Sequence, residues 1–155
     1  MADPRERLEQ MVKLLRDQGH RLTPQRVAML KVIARSEGHP SVEQIYEQIR
    51  ADFPTTSLAT VYKTLSLLKE MGEVLELTIP HLGSRYDGNR PYPHPHVICT
   101  GCGIVLDPEF GAMEEITQEM ARQTGYQITH HQLSFFGLCP KCQKEGQKAS
   151  IKEGK

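Results

Sequence analysis

Apolar residues recur at helical spacing through the first part of the chain. The first stripe follows positions i, i+3, i+4 and i+7, which predicts an amphipathic helix that ends near Gly19. Thr23 and Pro24 then offer an N-cap and a proline at the first helical position, so a second helix is predicted from there to near Gly38. The two stripes consist of Leu8, Met11, Val12 and Leu15, and of Val27, Leu30 and Ala34.

Two more helices are predicted with the same period. Residues 41–44 read Ser-Val-Glu-Gln, which fits a capping box, and the helix behind it is expected to end at Phe53 and Pro54. Ser57 is predicted to start the next helix. We expect its core side to carry Leu58, Val61, Leu65 and Leu68, and its other side Ala59, Thr60, Lys63 and Ser66, with Tyr62 on the flank.

The pattern after Gly72 is typical of a β-hairpin. Residues 74–79 and 84–87 read as strands, and the four residues between them suit a short loop. The last three of these helices, followed by a hairpin, predict a winged helix-turn-helix domain, which we place at residues 1–87. Residues 88–93 are dense in glycine and proline and are predicted to form a hinge.

The remaining chain predicts a smaller α+β domain at residues 94–145. A domain of this size buries little apolar surface, so a bound metal would help it to fold. The lysine-rich end, residues 146–155, is expected to be a flexible tail. The predicted elements are short strands at 97–98 and 104–106, a helix with Met113, Ile116 and Met120 closed by Gly125, and a strand from Tyr126 to Phe136.

Composition places the chain among soluble globular proteins. It has 155 residues, of which 38% are hydrophobic and 25% charged, and no apolar run approaches the length that spans a bilayer. The first residues lack the apolar stretch of a signal peptide, so we expect a cytoplasmic protein without membrane contact. The net charge is zero, but one acid accompanies six basic residues between positions 13 and 35, a balance that favours phosphate contacts. These six are Lys13, Arg16, Arg21, Arg26, Lys31 and Arg35.

All four cysteines occur in two identical Cys-x-x-Cys spacings. Cys99 pairs with Cys102, and Cys139 pairs with Cys142. Four thiolates from two such pairs can occupy the corners of a tetrahedron, which a closed structural Zn²⁺ site requires. In a reducing compartment metal ligands are favoured over disulfides, although a single Cys-x-x-Cys can also be a redox pair.

A His-Pro-His segment just before the first cysteine pair predicts a second metal site. His94 and His96 point to the same side of an extended segment and can hold one ion, and nitrogen ligands mixed with carboxylates suit exchangeable Fe²⁺, Mn²⁺ or Zn²⁺. Candidates for the missing ligands are His39, Asp87 and Asp107. On spacing alone, however, His39 reads as a surface turn residue. The same interpretation holds for His20, His81 and His130.

The winged helix predicts which side chains contact DNA. A recognition helix enters the major groove with its N-terminal residues near the base edges, which places Thr60, Tyr62 and Lys63 at the DNA. Arg21, just before the Thr23 cap, is placed to reach the neighbouring backbone or minor groove. For any single residue the alternative is a solvated polar face.

Four linked motifs resemble the ferric uptake regulator family. They are the run from His20 to Arg26 (HRLTPQR), Thr60-Val61-Tyr62, the segment from His94 to Gly103, and Cys139-x-x-Cys142. The resemblance covers roughly residues 5 to 143. The resemblance implies a winged helix joined to an α/β dimerisation domain with a Cys₄ zinc site. It also implies that the metal-loaded homodimer binds operator DNA as a transcriptional repressor.

Within that family the chain is most similar to the peroxide-sensing branch, chiefly because residue 107 is aspartate rather than glutamate. The resemblance implies a regulatory Fe²⁺ or Mn²⁺, and peroxide sensing through oxidation of His39 or His94. The alternative is an iron- or zinc-responsive repressor of metal-uptake genes. The implied ligands of the regulatory metal are His39, Asp87, His94, His96 and Asp107.

The chain departs from the family pattern at a further metal site that many iron-sensing relatives carry. Two of its ligands interleave with the histidine pair, where this chain has Pro93 and Pro95, whereas Glu114 and His131 match the remaining positions. The two prolines are also expected to stiffen the hinge.

Two enzymatic interpretations compete with the regulator. A zinc hydrolase or deaminase needs an open zinc position and an acid-base carboxylate beside its ligands, as in His-x-Glu, but the chain has His-Pro-His. A thiol oxidoreductase needs a reactive Cys-x-x-Cys at a helix N-terminus, whereas Cys99 and Cys102 lie between predicted strands. The sequence therefore predicts a protein that is not an enzyme.

Overall fold

The computed structural model describes the backbone of residues 3–153 and the side chains of residues 3–146. The chain divides into two compact units, and the division falls between Tyr92 and Pro93. The predicted hinge at 88–93 lies against this division, with residues 88–92 in the first unit. Its role as a hinge stays a prediction.

Three of the four helices in the first unit begin where the sequence predicts caps. Thr23 accepts a hydrogen bond from the Arg26 amide, and Ser57 accepts one from the Thr60 amide, each at 3.2 Å. Ser41 and Gln44 form the predicted capping box. The helices are α1 (Pro4–Asp17), α2 (Pro24–Arg35), α3 (Val42–Arg50) and α4 (Leu58–Glu70).

The predicted hairpin is confirmed as strands β1 (Leu75–Ile79) and β2 (Gly83–Asp87). They pair antiparallel, with Leu75 opposite Asp87 and Ile79 opposite Gly83. The reversal of the chain uses positive φ angles, 64° at His81 in the loop and 81° at Gly83, the first residue of β2. With α1 to α4 this hairpin completes a winged helix.

Side chains from all four helices and the hairpin build one apolar core in the first unit. Helix α4 contributes Val61, Leu65 and Leu68, as its stripe predicts. Leu58, expected on the same side, is instead 38% exposed. It is the first residue of the helix, one turn before Val61, the first residue that reaches the core. Other core residues include Met11, Leu15, Met29, Leu30, Ile33, Ile45, Ile49, Val74 and Tyr86.

The second unit contains a small sheet in the order β4-β3-β5. Strand β3 (His96–Cys99) pairs antiparallel with β4 (Val105–Leu106) and parallel with β5 (Ser134–Gly137). The predicted strand from Tyr126 is wrong before Ser134, because β3 offers only four residues for pairing.

Two helices complete the second unit. Helix α5 (Met113–Thr124) ends at Gly125, whose φ of 72° allows the left-handed C-cap that the sequence predicts. Helix α6 (Pro140–Glu153) is not predicted by the sequence pattern. It includes residues 146–153 of the expected tail, whose mobility stays a prediction, and residues 154 and 155 lie outside the described residues.

The second unit exposes much apolar surface. Every side chain of α5 is at least partly exposed, and Leu106 on β4 is 60% exposed. A surface of this kind indicates a contact with another protein chain. Further exposed apolar residues here are Val97, Ile104, Phe110, Ile116, Met120, Tyr126, Phe135, Phe136 and Leu138.

Each helix in the described part of the chain is too short or too polar to cross a membrane.

Candidate metal centres

The four cysteines converge in the second unit. Cys99 ends β3, and Cys102 lies in the turn towards β4. Cys139 directly precedes α6, and Cys142 lies in its first turn. Their sulfur atoms all lie within 4.8 Å of one another, and the Cys102 and Cys139 sulfurs are 3.8 Å apart. A tetrahedron of thiolates around Zn²⁺ has sulfur–sulfur separations of about 3.8 Å. The four side chains therefore fit a closed zinc site.

The thiol state also fits metal ligation. None of the four cysteines, all within the described residues, forms a disulfide. The pKa of Cys99 is lowered to about 6, first by the Cys139 backbone N–H, which donates to its sulfur at 3.3 Å, and then by the Cys102 N–H. The pKa of Cys142 is raised to about 12, first by its hydrogen bond with the Cys139 thiol and then by burial. Crowded thiols resist ionising together, and a cation among them offsets that repulsion.

Gly101 lets the two pairs approach. A Cβ atom at this position would lie 3.0 Å from the Cys142 sulfur and 3.2 Å from its Cβ. Only a residue without a side chain fits the turn between Cys99 and Cys102 without moving Cys142.

The second unit also brings together His94, His96 and Asp107. The Nε2 atom of His94 is 3.5 Å from one Asp107 carboxylate oxygen, and that of His96 is 3.6 Å from the other. Asp107 directly follows β4, whose pairing with β3 carries it to the histidines. Both imidazoles are buried, and their ring centroids are 4.3 Å apart. Two nitrogen donors facing one carboxylate form part of a divalent-metal site.

The first unit holds a second group of the same chemistry. The Nε2 atom of His39 lies 3.2 Å from the Asp87 Oδ2 atom, and the two side chains are 4% and 3% exposed. Asp87 Oδ1 accepts hydrogen bonds from the backbone amides of Asn89 (3.0 Å) and Arg90 (2.8 Å). This turn commits one carboxylate oxygen to the backbone and directs the other to His39.

His39 itself has an unusual backbone. Its φ is 59°, the left-handed region that non-glycine residues rarely adopt, and it follows Gly38 at 106°. The interpretation of His39 as a surface turn residue is wrong, because the residue is buried beside Asp87. Strain of this kind concentrates at functional sites. Of the other histidines, His81 and His130 are exposed and His20 is half-buried.

The predicted DNA contacts lie on accessible surfaces of the first unit. Thr60, Tyr62 and Lys63 are exposed on α4, with Tyr62 46% exposed. Arg21 is exposed before α2, and the Arg26 guanidinium donates to its carbonyl oxygen at 2.5 Å.

Sequence reasoning missed Arg7, which is 4% exposed. The signal was present, since Arg7 lies four residues before Met11 and therefore on the apolar face of α1.

Glu114 and His131 are the two residues that match the further metal site of iron-sensing relatives. In the structure Glu114 is exposed and His131 is half-buried.

Comparisons with known proteins agree with this arrangement. The chain is 37% identical to the peroxide-responsive repressor PerR of Staphylococcus epidermidis over 139 residues, 90% of this chain and 92% of the relative. The Helicobacter pylori ferric uptake regulator Fur, described with three functional metal binding sites, superposes with a TM-score of 0.78 at 26% identity, covering 92% of this chain and 95% of that one.

A zinc-loaded PerR from GAS, named PerR-Zn-Zn, is 36% identical, with a TM-score of 0.51 over 88% of this chain and 87% of that one. The family profile named "Ferric uptake regulator family" matches residues 17–136. Relatives of this kind include a zinc-bound manganese uptake regulator. They regulate transcription, which excludes the two enzymatic interpretations. The chain belongs to the ferric uptake regulator family, whose members are dimeric, metal-dependent repressors that bind DNA.

Proposed function

We propose that the protein is a cytoplasmic, homodimeric repressor that binds operator DNA when loaded with Fe²⁺ or Mn²⁺ and leaves it when peroxide oxidises His39 or His94. The observation that carries this proposal is the placement of Asp107 opposite both His94 and His96, at 3.5 and 3.6 Å. The similarity to a peroxide-responsive repressor over 90% of the chain supports peroxide as the signal that the protein senses.

We infer two metal sites with distinct roles. Cys99, Cys102, Cys139 and Cys142 hold structural zinc, which the sulfur spacing supports. We assign five ligands to the regulatory metal. Each of these residues is buried or partly buried, and within its own unit it lies beside at least one other ligand. These ligands are His39, Asp87, His94, His96 and Asp107.

Oxidation of a ligand explains release from DNA. Bound Fe²⁺ would supply the electrons that activate peroxide beside the imidazoles. An imidazole that gains oxygen is a poorer nitrogen donor, so His39 or His94 then holds the ion more weakly. Because ion binding favours the DNA-binding state, its loss shifts the population away from that state.

The DNA interface follows from the winged helix. Thr60, Tyr62 and Lys63 on α4 face the major groove in this proposal, and Arg21 contacts the adjacent backbone or minor groove. Their exposure supports these roles, since none is needed to fill the core.

The test is anaerobic DNA binding by the Fe²⁺-loaded and the Mn²⁺-loaded protein, each before and after a small dose of peroxide. Release with iron only, together with a gain of about 16 Da on His39 or His94, is the expected result. Exposed His81 serves as an internal control that should stay unmodified. Oxidation spread evenly over His81 and the buried histidines would contradict site-directed chemistry.

The alternative is an iron- or zinc-responsive repressor of uptake genes. The structural similarity to the Helicobacter pylori ferric uptake regulator favours it. Metal-dependent DNA binding that survives peroxide, with no added oxygen on either histidine, would establish this alternative.

A further inference from the structure

Arg7 on helix α1 is a buried cation that bonds to two other parts of the first unit. Its Nε donates to the Gly88 carbonyl at 2.6 Å, and its Nη2 donates to the Glu73 carbonyl at 2.8 Å. The Nη1 atom lies 2.6 Å from the Glu73 carboxylate, which offsets the buried charge. One guanidinium thus ties α1 to the segment before β1 and to the residue after Asp87.

The chain after Asp87 is fixed from the other side by helix α2. The Asn89 side-chain amide donates to the Ala34 carbonyl at 3.1 Å. Gly88 packs so tightly that a Cβ there would lie 1.9 Å from the Cγ2 atom of Ile33. Both residues of the turn are therefore held in place, Gly88 by α1 and α2 and Asn89 by α2.

This turn is also the one that orients Asp87. The amides of Asn89 and Arg90 bond to Asp87 Oδ1, which leaves Oδ2 directed to His39. A shift of the Gly88 peptide would move these amides and rotate the carboxylate.

We propose that Arg7 is a positioning residue for the regulatory metal: by holding the Gly88 carbonyl, it sets the orientation in which Asp87 presents Oδ2. This inference rests on the proposed role of Asp87 as a ligand. Partners that orient metal ligands commonly change metal affinity by about tenfold or more when they are removed. A positioning role for Arg7 would also couple the position of α1 to metal binding. Because such coupling is reciprocal, occupancy of the metal site would in turn affect the position of α1.

Arginine suits this role better than lysine. The two carbonyls and the carboxylate are bonded by three different nitrogens of one planar group. A lysine ammonium keeps the charge beside Glu73 but is a point donor and cannot reproduce that fork. Arg7→Lys is therefore a mild change for the ion pair and a severe one for the Gly88 bond.

The test measures Mn²⁺ affinity of the full-length, zinc-loaded protein by competition with a fluorescent chelator, beside zinc content and thermal unfolding. Arg7→Lys should bind Mn²⁺ about tenfold more weakly while keeping its zinc and a cooperative unfolding transition. Glu73→Gln, which breaks the ion pair but keeps both carbonyl acceptors, should lower the unfolding temperature and leave Mn²⁺ affinity within about twofold. Lys13→Ala, an exposed change on the same helix, should alter neither.

Asp87→Ala separates this inference from the proposed function. If it weakens Mn²⁺ binding and Arg7→Lys does not, the positioning role is overturned and the ligand set stands. If Asp87→Ala leaves Mn²⁺ affinity unchanged, the ligand assignment fails and the positioning role with it. Should Arg7→Lys not fold, Arg7→Met in the Glu73→Gln background removes the Gly88 bond without leaving a buried unpaired charge, and the same tenfold loss or its absence decides the question.

Discussion

The Nε2 atom of His94 lies 3.5 Å from the Oδ2 atom of Asp107, two residues brought together by the pairing of β3 and β4. Asp107 is partly accessible, whereas His94 is buried. The length of the side chain at position 107 therefore sets where a carboxylate stands beside an imidazole that we propose to be oxidised.

Asp107→Glu should preserve metal-dependent DNA binding and blunt release by peroxide. The added methylene still allows a carboxylate to reach the metal but changes the arrangement beside His94. We expect the Fe²⁺-loaded variant to need about tenfold more peroxide for half-release in a DNA mobility assay. Glu109→Asp, an exposed change two residues away, is the matched control. Equal peroxide sensitivity of Asp107→Glu and the parent would remove the sequence-based reason for the peroxide branch.

Cys102→Ser should unfold the second unit and abolish dimerisation. Structural zinc contributes about 10 kcal/mol or more to folding, and loss of one thiolate removes much of it. Zinc content, circular dichroism and sedimentation would be measured. Lys141→Ala, between the other two cysteines, should remain a zinc-loaded dimer. A stable Cys102→Ser dimer would refute the structural role of the cluster.

Gly88→Ala should destabilise the first unit by about 1–3 kcal/mol, because its Cβ would overlap the Ile33 side chain. The loss should shrink in an Ile33→Ala background, where the overlapping Cγ2 atom is gone, and a double-mutant cycle of denaturant unfolding measures that coupling. Gly111→Ala, with no neighbouring atom within 4 Å, should change stability by less than about 0.5 kcal/mol. Additive effects at positions 88 and 33 would contradict the overlap.

Lys63→Met should weaken operator binding and lower the slope of log affinity against log salt by about 1, as expected for one lost phosphate contact. Its unfolding temperature should not change, because Lys63 is exposed on α4. Lys144→Met on α6, an exposed change outside the basic run of residues 13–35, is the control, and binding should be unaffected. An unchanged salt slope in Lys63→Met would place this lysine away from the DNA backbone.

The helices of the first unit were predictable because their signals are local. A threonine or serine cap bonds to an amide three residues away, and the proline or glutamine that completes the signal lies within the same turn. The glycine C-cap of α5 at Gly125 is equally local. None of these features needs a distant partner.

The sequence-based predictions failed where a residue distant in the chain decides the local structure. The length of β5 depends on the four residues that β3 offers, so the pattern from Tyr126 could not locate its start. Arg7 could be recognised as a tether only once Gly88, 81 residues away, lay against it.

The sequence by itself determined the pairing of the cysteine spacings, the starts of α2, α3 and α4, and the hairpin, because spacing and capping act over a few residues. Only the tertiary structure showed that His39 is buried whereas His81 and His130 are exposed, since neighbours remote in sequence bury it and place Asp87 at 3.2 Å. Ligand geometry depends on desolvation and on the orientation of side chains from separate elements, and neither property is encoded in the spacing of any one segment.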